Sequence, residues 1–368
     1  MKRPLLLRRA TNSVRPEDPG GVQQALASSF AIRIVDWQRR HGRSELPWQN
    51  THDPFRVWLS EVMLQQTQVS TVLGYFARFL ERFPTVQALA AGTEDEVFGL
   101  WSGLGYYSRA RNMHRCAQEV VSRFGGAFPR TAAELQTLPG IGRSTAAAIA
   151  AFCFGERVSI LDGNVKRVLG RMLAFEGDLS SAAQERALWA MATELLPPAT
   201  QRRAIARYTQ GLMDLGATVC VPRKPSCMTC PVNDLCAARR QGEPERFPVK
   251  TRKLRRSAQS LWMLQARDAH GRVWLEKRPS RGIWAGLYCL PVYESRDSLL
   301  DELAPDDRRT ARDDAAFVHV LTHKDLHLHP VSVECVAERR LSDAGRWFEA
   351  GQWSALGLPA PVRKLLTT

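Results

Sequence analysis

The stretch Leu138-Pro139-Gly140-Ile141-Gly142-Arg143-Ser144-Thr145-Ala146-Ala147-Ala148 decides how the first two-thirds of this chain folds. Pro139 punctuates one helical segment, and two glycines then form a tight turn that tolerates positive φ and close backbone approach. The mostly small residues 146–151 let the next helix pack closely, and its first free N–H groups offer an anion site. Taken alone, the stretch reads equally as an ordinary helix–turn–helix connection or as a helix–hairpin–helix near 132–154 that grips a nucleic-acid phosphate without reading sequence.

Outward from this turn, residues 22–238 keep a helical period. Apolar residues recur at three and four, as in Ala31, Ile34, Val35 and Trp37, or Val57, Trp58, Leu64, Val69 and Val72. Thr93-Glu94-Asp95-Glu96 and Thr131-Ala132-Ala133-Glu134 are capped helix starts, and the pattern predicts an all-α region of about ten helices. Residues 239–258 are polar, proline-bearing and basic, which predicts an interdomain linker. Beyond it the period changes to two, with strands expected over 259–267, 272–277, 287–292 and 326–333; residues 259–368 are a separate α+β domain.

The 368 residues are 44% hydrophobic and 24% charged, which excludes collagen-like, mucin-like and mostly disordered chains. No run approaches the roughly 18 apolar residues of a membrane span. Residues 1–21 read as a disordered basic tail, whose Leu5-Leu6-Leu7 is too short for a secretory core, so an intracellular protein is expected. The net charge is +14, yet residues 259–368 hold 15 basic and 15 acidic side chains, so the whole excess lies in 1–258. A basic half beside a neutral half points to a polyanionic partner.

Four of the eight cysteines fall in one loop, Cys220-x6-Cys227-x2-Cys230-x5-Cys236. Four thiolates so placed can enclose a tetrahedral metal or an iron–sulfur cluster, and the 6-2-5 spacing is unusual for zinc. Asp162-Gly163-Asn164-Val165-Lys166-Arg167 opens a helix, where Asp162 alone reads as an N-cap. Glu61 sits in the apolar Val57-Trp58-Leu59-Ser60-Glu61-Val62-Met63-Leu64-Gln65-Gln66-Thr67; it is either a solvent-facing residue or a desolvated proton donor. Gly103-Leu104-Gly105-Tyr106-Tyr107-Ser108-Arg109 is a glycine turn carrying aromatics and a base, suited to core packing or to insertion into a base stack.

In this order the strings resemble the helix–hairpin–helix DNA glycosylases related to endonuclease III, and within them the adenine-specific branch. The resemblance rests on Pro47-Trp48, residues 58–69, Trp101-x-Gly103-Leu104-Gly105-Tyr106-Tyr107, residues 138–145, residues 160–167 and the four cysteines. It extends through Gly282-x-Trp284-x-Gly286-Leu287-x3-Pro291 into a Nudix-like C-terminal domain. It implies a monomer bearing one [4Fe-4S] cluster on Cys220, Cys227, Cys230 and Cys236. It also implies excision of flipped adenine from double-stranded DNA containing A:8-oxoguanine or A:G mispairs.

By this resemblance Glu61 protonates the leaving adenine and Asp162 stabilises the oxocarbenium-like sugar, with Ser144 and Asn164 in support. Tyr106 and Gln66 are the wedge and gap-filling groups, Gln65 contacts the opposite base, and Gly140, Gly142 and Lys166 contact DNA. Ser144 stands where strand-cleaving relatives carry a lysine nucleophile, which implies a monofunctional enzyme. Leu321-Thr322-His323 matches the loop that reads 8-oxoguanine, with Leu and Thr in place of the usual Phe and Ser. No Arg-Glu-x2-Glu-Glu helix follows Gly286, so the Nudix-like domain is expected to recognise rather than hydrolyse. His327 and His329 alternate along a strand and need no ligand role.

Overall fold

A computed structural model describes residues 19–251, 255–335 and 340–367. The expected tail over 1–21 therefore lies almost wholly outside the described residues, and the first helix already opens at Pro19. The helices are α1 (Pro19–His41), α2 (Pro54–Leu64), α3 (Val69–Arg82), α4 (Val86–Ala91), α5 (Glu94–Trp101), α6 (Tyr107–Phe124), α7 (Ala132–Leu135) and α8 (Arg143–Phe154). They continue as α9 (Gly163–Met172), α10 (Ala182–Glu194), α11 (Ile205–Thr218) and α12 (Ala237–Arg240). Four short helices follow in the C-terminal region: α13 (Arg296–Asp301), α14 (Pro305–Thr310), α15 (Ala350–Trp353) and α16 (Ala360–Thr367). The chain divides into two compact units, residues 1–43 with 155–250, and residues 44–154 with 251–368.

In the first unit α1 packs on α11, with Phe30 edge-on to Tyr208 at 6.2 Å. Asp214 of α11 is fully buried and accepts from the Arg43 backbone N at 3.0 Å, Arg43 Nε at 2.7 Å and Gln210 Nε2 at 2.9 Å, which locks the end of α1. Helix α9 lies against α11 so closely that a Cβ on Gly216 would stand 2.7 Å from Asn164 Cβ. The segment expected as a free linker over 239–258 packs here as far as Lys250. Phe247 is buried, its carbonyl accepts from Arg171 Nε at 3.1 Å, and the Val249 carbonyl accepts from Leu179 N at 3.0 Å. The basic run hides an apolar anchor that a buried guanidinium holds.

In the second unit α2 packs on α8 and buries the alanine face 146–151. Trp58 packs at a tilt against Phe128, centroids 5.3 Å apart, and Phe79 meets Trp101 edge-on at 5.8 Å. Thr93 with Glu96 forms the expected capping box at α5, and Thr131 caps α7. The C-terminal strands are β1 (Ser257–Arg267), β2 (Val273–Lys277), β3 (Tyr288–Cys289), β4 (Val292–Tyr293), β5 (Arg312–Asp313), β6 (Phe317–Val320), β7 (Lys324–Glu334) and β8 (Gly345–Phe348). They form one mixed sheet in which β1 and β7 pair in parallel over eleven residues at the centre. The strand expected over 287–292 is broken at Leu290-Pro291 into β3 and β4, because proline has no ladder N–H to give. Within this unit Lys277 pairs with Asp95 at 2.6 Å, and Arg111 Nη2 donates to the Ala285 carbonyl at 2.5 Å, seating the sheet on α5 and α6.

The Asp214 cluster generates a stability prediction. Asp214→Ala leaves Arg43 and Gln210 without their shared acceptor and should lower unfolding stability by about 3 kcal/mol in urea titration.

Candidate functional site

Asp162 is the N-cap of α9, with extended backbone (φ −73°, ψ −178°) and its Oδ1 accepting from Val165 N at 2.7 Å. Loss of water around the carboxyl pushes its pKa above the usual 3.8, opposed by the Val165 and Asn164 N–H groups and by Arg167 and Lys166. The cap role and a desolvated carboxylate thus coexist in one residue. Asn164 Oδ1 accepts from Arg167 Nη2 at 2.7 Å, and the same nitrogen donates to the Gly216 carbonyl at 2.7 Å. Lys166 Nζ is held by Glu185 at 2.8 Å.

Helix α9 also organises the cysteine loop. Cys220, Cys227, Cys230 and Cys236 line one cavity with Arg171 and Met172. Arg171 is 2% exposed; Nη1 donates to the Val221 carbonyl at 2.7 Å and Nη2 to the Pro222 carbonyl at 2.8 Å. Its Nη1 also lies 3.4 Å from Cys220 Sγ, while Arg167 Nε donates to the Cys220 carbonyl at 2.7 Å. Burial pushes the Cys230 thiol up to about 12 and raises Cys236 as well. The thiols ring the cavity rather than converge: among the described residues no three metal-ligating side chains are close enough to share a single ion. Four sulfur donors around an apolar cavity, beside a buried guanidinium, fit an iron–sulfur cluster. Arg171 was not singled out from sequence, although an arginine among apolar Leu169, Gly170 and Met172 is the signal that marks it.

In the other unit, Asp53 caps α2 by accepting from Phe55 N at 2.9 Å, and the helix carries a half-buried Glu61 among buried Ser60, Val62 and Met63. Ser144 is half-buried in the first turn of α8, and Gly142 is exposed just before it. Gly140 has φ +74°, and a Cβ there would stand 2.7 Å from Asn112 Cβ, so the hairpin requires glycine. Gln65 Nε2 donates to Thr145 Oγ1 at 3.4 Å, joining the exit of α2 to the head of α8; Thr145 was quoted in the motif without a role. Gln66 is exposed at φ +58° and Tyr106, 47% exposed, at φ +48°. The Tyr106 hydroxyl lies 2.8 Å from Thr322 Oγ1. Thr322 and His323 form the exposed tip between β6 and β7, whereas Leu321 packs partly buried against the sheet core. An apolar wedge at Leu321 therefore does not stand at the tip. His327 is exposed and His329 stacks on Trp262 at 4.5 Å.

Two outcomes follow from these local geometries. Asp162→Asn keeps a cap acceptor and removes the desolvated charge. Because the folded pKa is raised, the favourable protonated state is lost as pH climbs through it. The variant should therefore resist urea more than the parent at pH 8, with the gain lost as pH falls to the ordinary carboxylate value of 3.8, as paired unfolding curves would report. Gly140→Ala forces a side chain into the left-handed region and should weaken binding to duplexes of any sequence by about tenfold in anisotropy titrations.

Comparison with known proteins fits this arrangement. Residues 59–194 match the HhH-GPD superfamily of base excision DNA repair proteins, 220–236 the iron-sulfur binding domain of endonuclease III, and 262–368 the NUDIX domain. The adenine DNA glycosylase of Buchnera aphidicola (subsp. Acyrthosiphon pisum) is 33% identical over 342 residues, covering 92% of this chain and 96% of that one. The human adenine DNA glycosylase is 43% identical over 232 residues, covering 61% of this chain and 42% of its own length. The solved structure of a thermostable thymine-DNA glycosylase superposes with a TM-score of 0.51 at 26% identity, covering 61% of this chain and all of that one. With a third of its residues shared along nearly the full length of its bacterial relatives, this chain belongs to the adenine DNA glycosylase family, DNA glycosylases of base excision repair that carry an iron–sulfur binding domain.

Proposed function

We propose that this glycosylase, acting as an intracellular monomer on duplex DNA, hydrolyses the N-glycosidic bond of adenine mispaired with 8-oxoguanine or guanine and leaves an abasic site. Adenine is the base named in its full-length relatives. The observation that carries the chemistry is the desolvated Asp162 carboxylate fixed by the first N–H groups of α9. Glu61 donates the proton that makes extruded adenine a leaving group. Asp162 in its ionised form offsets the positive charge that develops on the deoxyribose, and a water completes the hydrolysis. Ser144 and Asn164 support these two groups. A hydroxyl at 144 forms no Schiff base, and Lys166 is tied up by Glu185, so the strand stays intact.

Gln65, Gln66 and Tyr106 serve base opening, and Thr322 with His323 reads the opposite base from the sheet. A [4Fe-4S] cluster on Cys220, Cys227, Cys230 and Cys236 supplies, when bound, four iron–thiolate bonds that fix the loop. Arg223 and Lys224, both exposed, then meet a DNA phosphate, and Gly140 and Gly142 of the hairpin meet another.

The test is an excision assay on duplexes with A opposite 8-oxoguanine, A opposite G and T opposite G, each analysed with and without alkali. Adenine release that gives strand breaks only after alkali is expected, with Glu61→Gln slower by about a thousandfold or more. Release of thymine with adenine untouched would instead favour the specificity named for the structural neighbour. Full activity of Glu61→Gln would remove that residue from the chemistry.

A further inference from the structure

One guanidinium in the second unit gathers the backbone of two separate segments. Arg109, in the first turn of α6, donates through Nη1 to the carbonyls of Val62 at 3.0 Å, Met63 at 2.9 Å and Gln65 at 2.5 Å. These acceptors are the last carbonyls of α2 and its exit, which no helical N–H reaches. Through Nη2 the same fork donates to Leu104 O at 3.2 Å, Gly105 O at 3.3 Å and Thr67 Oγ1 at 3.2 Å. Its plane lies 5.2 Å from the Trp101 ring and 5.6 Å from the Tyr106 ring. Among the described residues no carboxylate pairs with it, and burial lowers its pKa to about 10, which still leaves it charged at neutral pH. A half-buried charge held by five carbonyls and one hydroxyl, with Nε left unpartnered, is costly and holds its acceptors tightly.

Each of the two segments it joins carries a left-handed, non-glycine residue, as Ala174, Lys224 and Trp284 do elsewhere. Gln66 follows the α2 exit and Tyr106 follows the Gly103–Gly105 turn. Each such residue costs about 1–2 kcal/mol and persists only where its surroundings over-determine it. Arg109 is the group common to both surroundings.

We propose that Arg109 is a positioning residue for base extrusion, its guanidinium setting the separation between Gln66 and Tyr106 so that both enter the duplex together. The proposal rests on the wedge assignment of those two residues. Lysine would keep the charge but could not bridge both segments, because it lacks the planar fork. Arg109→Lys should therefore slow base opening more than bond cleavage.

Two substrates and one optical probe test this. Adenine release under single-turnover conditions is compared on a fully stacked A:8-oxoguanine duplex and on a duplex whose adenine is flanked by mismatches and already unstacked. Arg109→Lys should lose about tenfold or more on the stacked duplex and less than about threefold on the unstacked one. Arg109→Gln serves as a second variant, and circular dichroism confirms the fold of each. In parallel, 2-aminopurine at the adenine position reports opening without excision, and its fluorescence rise should shrink in both variants. Equal losses on the two substrates, or an unchanged fluorescence rise in a folded variant, overturn the role of Arg109. A parent protein that opens the base but releases no adenine would overturn the proposed function while leaving the test of Arg109 intact.

Discussion

A carboxylate withheld from water at the start of α9 is the constraint around which the first unit is arranged. Asp162 is tolerated there because the Val165 and Asn164 N–H groups, at the positive end of a helix, partly replace the lost solvent. The compensation is incomplete, so the residue sits above its ordinary pKa, and a positive charge near it would be welcome. Along the same helix Arg167 and Arg171 turn toward the Cys220 loop and the Phe247 anchor. Ten residues of α9 thus connect the desolvated acid to the cysteine-lined cavity, and the close approach at Gly216 keeps that helix from shifting.

The second unit uses backbone strain where the first uses desolvation. Gln66, Tyr106 and Gly140 all occupy positive φ, and each stands at the end of a well-packed helix or turn. Hairpin rigidity comes from the alanine-rich face of α8 against α2, and Gln65 with Thr145 ties the two helices at their working ends. The bond between Tyr106 and Thr322 joins the exposed turn between β6 and β7 to the start of α6 within the same unit. A domain that is neutral overall can thereby contribute to DNA recognition by geometry rather than by charge.

Much of this was legible from residue patterns, for identifiable reasons. The threonine–glutamate pairs at 93 and 131 announce helix starts because N-capping, with a full capping box at Thr93, is local chemistry. The long central strands β1 and β7 show their alternation because each is eleven residues long and buries residues through its C-terminal half. Two-residue strands such as β5 have no period to display, and β8 is four residues long. The packed anchor at Phe247 was hidden by the surrounding basic residues, since its partner is a buried arginine seeking carbonyls and no pattern in the chain records that need. Asp162 shows the limit differently: its cap role was plain from position, while its desolvation depends on tertiary packing. Leu321 keeps the apolar character expected of a wedge yet spends it on the sheet core.

The most direct measurement compares duplexes carrying a cationic pyrrolidine or a neutral tetrahydrofuran in place of the excised nucleotide, both opposite 8-oxoguanine. If the Asp162 carboxylate faces the sugar cation, the parent protein binds the pyrrolidine at least about a hundredfold more tightly, and Asp162→Asn loses that preference while binding the tetrahydrofuran as before. A variant that still prefers the cation by the same factor would contradict the assignment of Asp162.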